Sequence, residues 1–121
     1  MDYADLLPTL FELDAGVFYL QLASEPDPRR VLQLVKGESR SGQRIFVGVT
    51  DPIARRVETP EEVRDRVLQA AEYVPRGRLG TTDDCGFAPF ADDVSTSRET
   101  AFAKIRARVR GTEMASRELG V

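Results

Sequence analysis

The 121-residue chain has the length of a single domain. Apolar residues make up 41% of it and charged residues 31%, which is a globular composition and not a disordered one. The formal net charge of -3 argues against the basic surface of a nucleic-acid-binding protein. No apolar run approaches the ~20 residues needed to span a bilayer, and the acidic N-terminus lacks the positive start of a signal peptide, so we expect a cytoplasmic protein.

Two residue counts limit the chemistry further. The chain has one cysteine, Cys85, and no histidine. An intramolecular disulfide is therefore excluded, as is a Ser-His-Asp or Cys-His catalytic group built from this chain. Zinc takes three or four Cys, His or carboxylate ligands, so a zinc site that used Cys85 would borrow ligands from elsewhere.

Helical and strand patterns alternate along the chain. The predicted order is a helix over 3–13, a strand over 17–23, a short helix over 31–35, a strand over 44–49, a helix from Thr59, a weaker strand over 78–82 and a final helix from Thr96. The first two strands are nearly continuous apolar runs, which is typical of strands buried on both faces of a parallel sheet. Thr59 and Thr96 each begin a capping box with an acidic residue three positions later.

The spacing of apolar and basic residues in the final helix predicts a buried apolar face and a solvated basic face. The predicted inward residues are Phe102, Ile105 and Val109, and the outward ones are Arg106, Arg108 and Arg110. The arginines are interpreted as a solvated surface.

The α-β-α-β-α-β-α order favours parallel βαβ units within a single domain over 1–121. The strands begin near residues 17, 44 and 78, close to the ~31 residues per unit of a (β/α)8 barrel. Three units cannot close an eight-stranded barrel. The chain is therefore either a small open α/β domain or part of a larger barrel.

Polar residues follow all three predicted strands. They are Gln21, Ser24 and Glu25 after the first, Thr50 and Asp51 after the second, and Thr82, Asp83, Asp84 and Cys85 after the third. Sites in parallel α/β folds lie at the carboxyl ends of strands. We therefore expect Gln21, Asp51 and Cys85 on one rim of the sheet.

Each of these residues also has a plain structural interpretation. Cys85 can be a small buried apolar residue, Asp51 a turn residue, and Asp83 and Asp84 caps for loop amides. Two neighbouring aspartates would raise the pKa of the Cys85 thiol, which disfavours an unassisted nucleophile. Coordination to a metal deprotonates a thiol. A zinc site in which Cys85 is one ligand and others come from elsewhere is therefore compatible with the two neighbouring aspartates.

Four segments carry a resemblance to a known family. Residues 78–87 (RLGTTDDCGF) and 100–107 (TAFAKIRA) resemble the C-terminal end of cobalamin-independent methionine synthases, and 46–52 (FVGVTDP) with 57–63 (VETPEEV) resemble the preceding unit. The resemblance covers nearly the whole chain. The Asp-Cys-Gly-Phe segment followed by Ala-Phe-Ala-Lys is shared with related zinc thiol-alkyltransferases such as epoxyalkane–coenzyme M transferase.

The resemblance implies the last three or so units of a TIM (β/α)8 barrel that is incomplete in this chain. It implies zinc at the carboxyl rim, held in the family by a His-x-Cys pair, a Glu and the Cys of the Cys-Gly segment. Cys85 matches the last ligand, and Gln21 stands at the Glu position with a neutral amide. The His-x-Cys strand is expected before Met1. The implied substrates are 5-methyltetrahydrofolate, or its polyglutamate, and homocysteine, which acquires the methyl group to give methionine.

Three hypotheses remain open at this stage. The chain is part of a methyltransferase barrel, a non-catalytic subunit that docks onto a partner, or a small open domain with a redox-sensing cysteine. No catalytic or substrate-binding residue is assigned within it. Strands this apolar need neighbours, so we expect the isolated chain to self-associate or to bind a partner chain that completes the barrel.

Overall fold

A computed structural model describes residues 3–13, 15–40, 42–52, 56–84 and 98–120. The helices are α1 (Tyr3–Phe11), α2 (Pro28–Glu38), α3 (Pro60–Ala71) and α4 (Arg98–Leu119), with a 3-10 turn at Arg76–Arg78. The strands are β1 (Val17–Leu20), β2 (Arg44–Thr50) and β3 (Leu79–Asp83). The element order predicted from the sequence is confirmed, with β1 ending three residues earlier than predicted.

The starts of α2 and α3 follow local capping rules. Asp27 precedes Pro28 and accepts a hydrogen bond from the backbone N–H of Arg30. Thr59 likewise precedes Pro60 and accepts from the backbone N–H of Glu62 at 3.1 Å, as the sequence predicted. The predicted cap at Thr96 lies outside the described residues.

The carboxylate of Glu62 also forms a fork with Arg56, whose two terminal nitrogens donate to it at 2.6 and 2.7 Å. This hydrogen bonding lowers the pKa of Glu62 to about 2. Arg56 thereby holds the loop before α3 against the first turn of that helix.

The three strands form one parallel sheet in the order β1-β2-β3. Phe18 pairs with Ile45, and Ile45 pairs in turn with Leu79. Parallel neighbours need a crossover connection, and α2 and α3 provide the two crossovers. The predicted parallel α/β fold is confirmed.

The helices within the described ranges cover one face of this sheet. The core joins Phe18, Leu20, Ile45, Val47 and Val49 of the strands to Leu7, Phe11, Val31, Leu32, Val35, Val63, Val67 and Ala70 of the first three helices. On the other face Val17 is 48% exposed and Tyr19 is 69% exposed, with the Tyr19 ring 5.0 Å from that of Phe46. The prediction that β1 is buried on both faces is therefore wrong for this chain.

Helix α4 packs through small residues, contrary to the predicted apolar face. Its buried positions are Lys104, Ala107, Gly111 and Ala115, whereas Phe102 and Val109 are each 48% exposed. Small side chains let α4 approach α3 closely, and a wide apolar face at the predicted positions would hold it away. The prediction that Arg108 is a solvated residue is also wrong, because it pairs with Asp83.

The close approach of α3 and α4 generates a stability prediction. A Cβ at Gly111 would lie 2.6 Å from the Pro60 carbonyl oxygen and 2.5 Å from Cβ of Val63. We expect Gly111→Ala to lower the free energy of unfolding in urea by about 2 kcal/mol, because this packing cannot absorb a methyl group. Gly37→Ala is the matched control, since Gly37 faces open space in α2, and it should stabilise by roughly 0.5 kcal/mol. Equal effects at both glycines would contradict the packing described.

Candidate functional site

The carboxyl ends of all three strands meet at one edge of the sheet, because the strands are parallel. Gln21 directly follows β1 and is exposed, and Asp51 directly follows β2 and is partly buried. Asp83 ends β3 and Asp84 follows it. The structure thus brings Gln21 and Asp51 to the same edge. Cys85, the third residue predicted there, lies outside the described residues.

Asp84 connects the three strand ends. Its Oδ1 accepts from the backbone N–H of Leu22 at 2.9 Å and of Ala23 at 3.2 Å. Its Oδ2 accepts from the backbone N–H of Ser24 at 3.0 Å and from the Ser24 hydroxyl at 2.9 Å. Its own backbone N–H donates to the Thr50 carbonyl oxygen of β2 at 2.9 Å. The prediction that Asp84 caps loop amides is confirmed, over a sequence separation of about sixty residues.

The side chain of Asp83 points to the opposite face of the sheet from that of Asp84, toward α4. Its carboxylate accepts a hydrogen bond from Nε of Arg108 in α4 at 3.1 Å. Burial raises the pKa of Asp83 above its ordinary value, and the charge and hydrogen bond of Arg108 oppose that shift without cancelling it. The pair joins the end of β3 to α4.

A buried ion pair anchors the loop that follows β2. Nζ of Lys104 donates to Oε1 of Glu58 at 2.9 Å and to the carbonyl oxygens of Asp51 and Arg56 at 2.9 and 2.6 Å. The Lys104 side chain is fully buried and that of Glu58 is 3% exposed. All three ammonium N–H groups therefore have acceptors.

The second oxygen of Glu58 is used as well. Oε2 accepts from the backbone N–H of Asp51 at 2.7 Å, and Nη1 of Arg66 lies 3.7 Å away. The Arg66 nitrogen donates to the Val49 carbonyl oxygen at 2.7 Å. Glu58 thus accepts from the backbone N–H of Asp51 while Lys104 donates to its carbonyl oxygen. The ion pair therefore has a structural role, which is to fix the backbone of Asp51.

Sequence reasoning missed this pair, although a signal for it exists. Lys104 continues the helical spacing of the small residues Ala107, Gly111 and Ala115. A lysine in line with a packing stripe is buried with that stripe unless its chain escapes to solvent. The carboxylate partner, Glu58, stands directly before the helix cap Thr59, where a turn residue is the simpler interpretation.

The described residues contain no group of three or more Cys, His, Asp or Glu side chains placed to hold a metal ion. Asp51 has its backbone fixed by Glu58 and Lys104, and Asp83 and Asp84 have structural partners. None of the helices in the described ranges has the length and apolarity that a bilayer span requires. The fold and this edge define a partial parallel α/β barrel whose polar groups gather at the carboxyl ends of the strands.

Comparisons with known proteins agree with that class. The model of the "Cobalamin-independent synthase, Catalytic domain" family matches residues 1–111. A methionine synthase from Thermococcus kodakarensis is 32% identical over 99 residues, which cover 82% of this chain and 28% of that protein. A 2-hydroxypropyl-CoM lyase from Xanthobacter autotrophicus is 36% identical over 74 residues, covering 61% of this chain and 18% of the lyase.

A solved structure extends the similarity to the fold. The B12-independent methionine synthase of Shewanella sp. W3-18-1, in complex with selenomethionine, is 26% identical and matches with a TM-score of 0.79. The match covers 97% of this chain and 31% of that one. The chain belongs to the cobalamin-independent methionine synthase family, and it spans less than a third of the length of these relatives.

The buried ion pair generates a prediction about stability. Lys104→Met should remove the nearer cation of the buried Glu58 carboxylate and leave it only Arg66 at 3.7 Å, and Glu58→Gln should leave the buried ammonium without its anion. Each should lower the free energy of unfolding in urea by about 3 kcal/mol or more. The double variant should lose clearly less than the sum, because neither charge is then stranded.

The exposed pair of Arg29 and Glu72 is the matched control. Both side chains are more than half exposed, and Nη1 of Arg29 lies 2.9 Å from Oε2 of Glu72. Arg29→Met should change stability far less than Lys104→Met, because solvent already screens the exposed charges. Additive losses in the buried pair would show that its two charges are not coupled.

Proposed function

We propose that this chain forms part of a methyltransferase barrel that transfers a methyl group from 5-methyltetrahydrofolate to the thiol of homocysteine, giving methionine. The observation that carries the proposal is the carboxyl edge, where Asp84 joins the strand ends one residue before Cys85. Membership of the family supports the reaction class. On this proposal the chain works in methionine biosynthesis in the cytoplasm.

Within that barrel we assign Cys85 as one ligand of a zinc ion, with Gln21 at a second ligand position. Zinc, when bound, stabilises the thiolate form of a substrate thiol at neutral pH. The donors assigned here are one thiol and one neutral amide, and the described residues form no closed ligand set. We expect the remaining ligands, the His-x-Cys pair of the family, to come from outside these 121 residues, which contain no histidine and no second cysteine. The proposed contribution of this chain is to hold its two donor segments at a fixed spacing.

A second reaction of the same chemical class has a specific observation in its favour. The 2-hydroxypropyl-CoM lyase is 36% identical to this chain over the matched residues. A related transfer to a different thiol is therefore the alternative, and it would use the same edge of the sheet. The two reactions differ in both substrates, so the assay offers homocysteine with 5-methyltetrahydrofolate and, separately, coenzyme M with an epoxyalkane whose ring the thiolate would open.

A chimera tests the proposed function. The segment of the Thermococcus kodakarensis methionine synthase that aligns with this chain is replaced by residues 1–121. We expect the chimera to bind zinc stoichiometrically and to methylate homocysteine. Cys85→Ser should abolish both, because a serine hydroxyl is hardly ever deprotonated for zinc. Gln21→Glu should tighten zinc binding by adding a negative charge.

Glu25→Gln is the control, because it removes a carboxylate after the same strand that has no assigned role in metal binding. It should leave zinc content and rate unchanged, and circular dichroism confirms that each variant folds. Zinc content that ignores Cys85 would overturn the ligand assignment. Alkylation of coenzyme M by the epoxyalkane, without methylation of homocysteine, would select the alternative reaction.

The uncovered face of the sheet generates a prediction about association. We expect the isolated chain to form oligomers in sedimentation velocity, because Val17 and Tyr19 lie exposed on β1, which is an edge strand of the sheet. Val17→Lys should shift the distribution to the monomer. A wild-type chain that is monomeric at high concentration would contradict the prediction.

A further inference from the structure

The described helices form one layer, and both ends of that layer carry an uncovered apolar stripe. Helix α1 packs against α2 and over β1, where the Phe11 ring lies 4.8 Å from that of Phe18. Arg29 of α2 pairs with Glu72, which directly follows α3, and α3 packs against α4. The order of the layer is therefore α1-α2-α3-α4, and the edge strands β1 and β3 lie beneath its two ends.

The stripe of α4 consists of its large apolar residues. Phe102, Ile105 and Val109 recur at spacings of three and four residues, which places them on one side of the helix. Phe102 and Val109 are each 48% exposed, whereas the small buried residues of α4 face α3. At roughly 100° per residue, Arg108 lies between these two sides, and it reaches Asp83 of β3. The large residues therefore lie past β3, on the side of α4 that no described helix covers.

Helix α1 carries a stripe of the same length at the other end of the layer. Leu6, Leu10 and, just past the end of the helix, Leu13 recur at spacings of four and three residues and extend over about 10 Å, as the stripe of α4 does. Leu6 is 42% exposed and Leu13 is 55% exposed, and Leu10 lies partly buried at the margin of the core. Four of the seven exposed large apolar side chains in the described ranges belong to these two stripes. Apolar surface that is concentrated in this way marks an interaction site.

The charges beside the two stripes have opposite signs. All charged residues between 102 and 111 are basic, and Arg106 and Arg110 among them are exposed. Helix α1 contains no basic residue, and the exposed charged residues beside its stripe are Asp5 and Glu12. Basic and acidic groups that flank apolar surfaces attract each other and disfavour other pairings. The two ends of the layer are therefore complementary in charge as well as equal in apolar length.

We propose that the two stripes bind each other between two copies of this chain, so that the stripe of α4 in one copy packs against the stripe of α1 in a second copy. Side chains at this spacing form ridges that pack into the grooves of a facing helix. The contact also brings the β3 edge of one copy beside the β1 edge of the other, and both edge strands gain a neighbour. Two like ends would instead set arginines against arginines, or carboxylates against carboxylates.

The pairing is head-to-tail, because the two surfaces differ. A dimer therefore keeps one free stripe of each kind, to which further copies add. Neither stripe contains a residue of the carboxyl edge, so the contact is independent of the proposed methyl transfer.

Two blocked variants test the contact by sedimentation velocity. Phe102→Lys with Val109→Lys blocks the stripe of α4, and Leu6→Lys with Leu13→Lys blocks the stripe of α1. All four positions are exposed, so the substitutions leave the core intact, and circular dichroism confirms that each variant folds. We expect each blocked variant alone to be a monomer. We expect their equimolar mixture to form a dimer and nothing larger, because each variant supplies the stripe that the other lacks.

Val57→Lys is the matched control, because Val57 is 37% exposed but lies before α3, away from both stripes. It should associate as the wild type does. A dimer formed by either blocked variant alone would show that like ends pair, which overturns the proposal. A monomeric mixture beside an associating wild type would show that another surface is used, and a monomeric wild type would exclude a second copy as the occupant of either stripe.

Charge reversal tests the complementarity separately, in a buffer of low salt. Arg106→Glu with Arg110→Glu should weaken self-association by at least about fivefold, and Asp5→Lys with Glu12→Lys should do the same. All four substitutions in one chain should restore association to near the wild-type level, because the signs are exchanged at both ends. Losses that add up in that chain would show that these charges do not meet, which overturns the pairing of α4 with α1.

Discussion

The constraint on which this structure depends is parallel pairing. Parallel neighbours cannot be joined by a tight turn, so each connection is a helix that returns across a face of the sheet. Here α1, α2 and α3 all contribute to the core on one face. Because the strands follow one another in the order β1-β2-β3, crossovers of the same hand return on the same side, and no described helix covers the other face. The parallel direction brings every carboxyl end to one edge. The exposed Tyr19 and the polar edge both follow from this sequential parallel order.

The polar edge is held together by ionised side chains bonded to backbone. Asp84 fixes the loop after β1, and Glu58 with Lys104 fixes the backbone of Asp51 after β2. Loops at strand ends have unpaired N–H and C=O groups, and burying them without partners is costly. A carboxylate accepts several N–H groups at once, and an ammonium donates to several carbonyls. Charge therefore substitutes here for the regular pairing that ends with the strands.

Sequence alone predicted much of this fold because local rules decided it. The apolar runs indicated the strands, Thr59 with Pro60 indicated the start of α3, and the alternation of strands with helices indicated parallel order. The predicted buried face of α4 is wrong because the prediction rests on the spacing of large apolar residues such as Phe102. Close helix packing selected small residues instead, and the burial of Lys104 depends on a partner 46 positions away. Long-range complementarity of this kind is not visible in a local pattern.

The proposed site likewise has one part that this chain determines and one part that the described residues do not supply. The connection between the loop after β1 and the end of β3 is determined by this chain, since the Asp84 carboxylate and its donors from Leu22 to Ser24 all belong to it. The cover for the face that bears Val17 and Tyr19 is not among the helices described, and neither is a full set of metal ligands. In the proposed barrel both would come from the same addition, because further βα units would extend the sheet past its edges and place new strand ends beside Gln21. A partner that completes the sheet therefore also completes the edge, and stability and ligand supply are expected to be gained together.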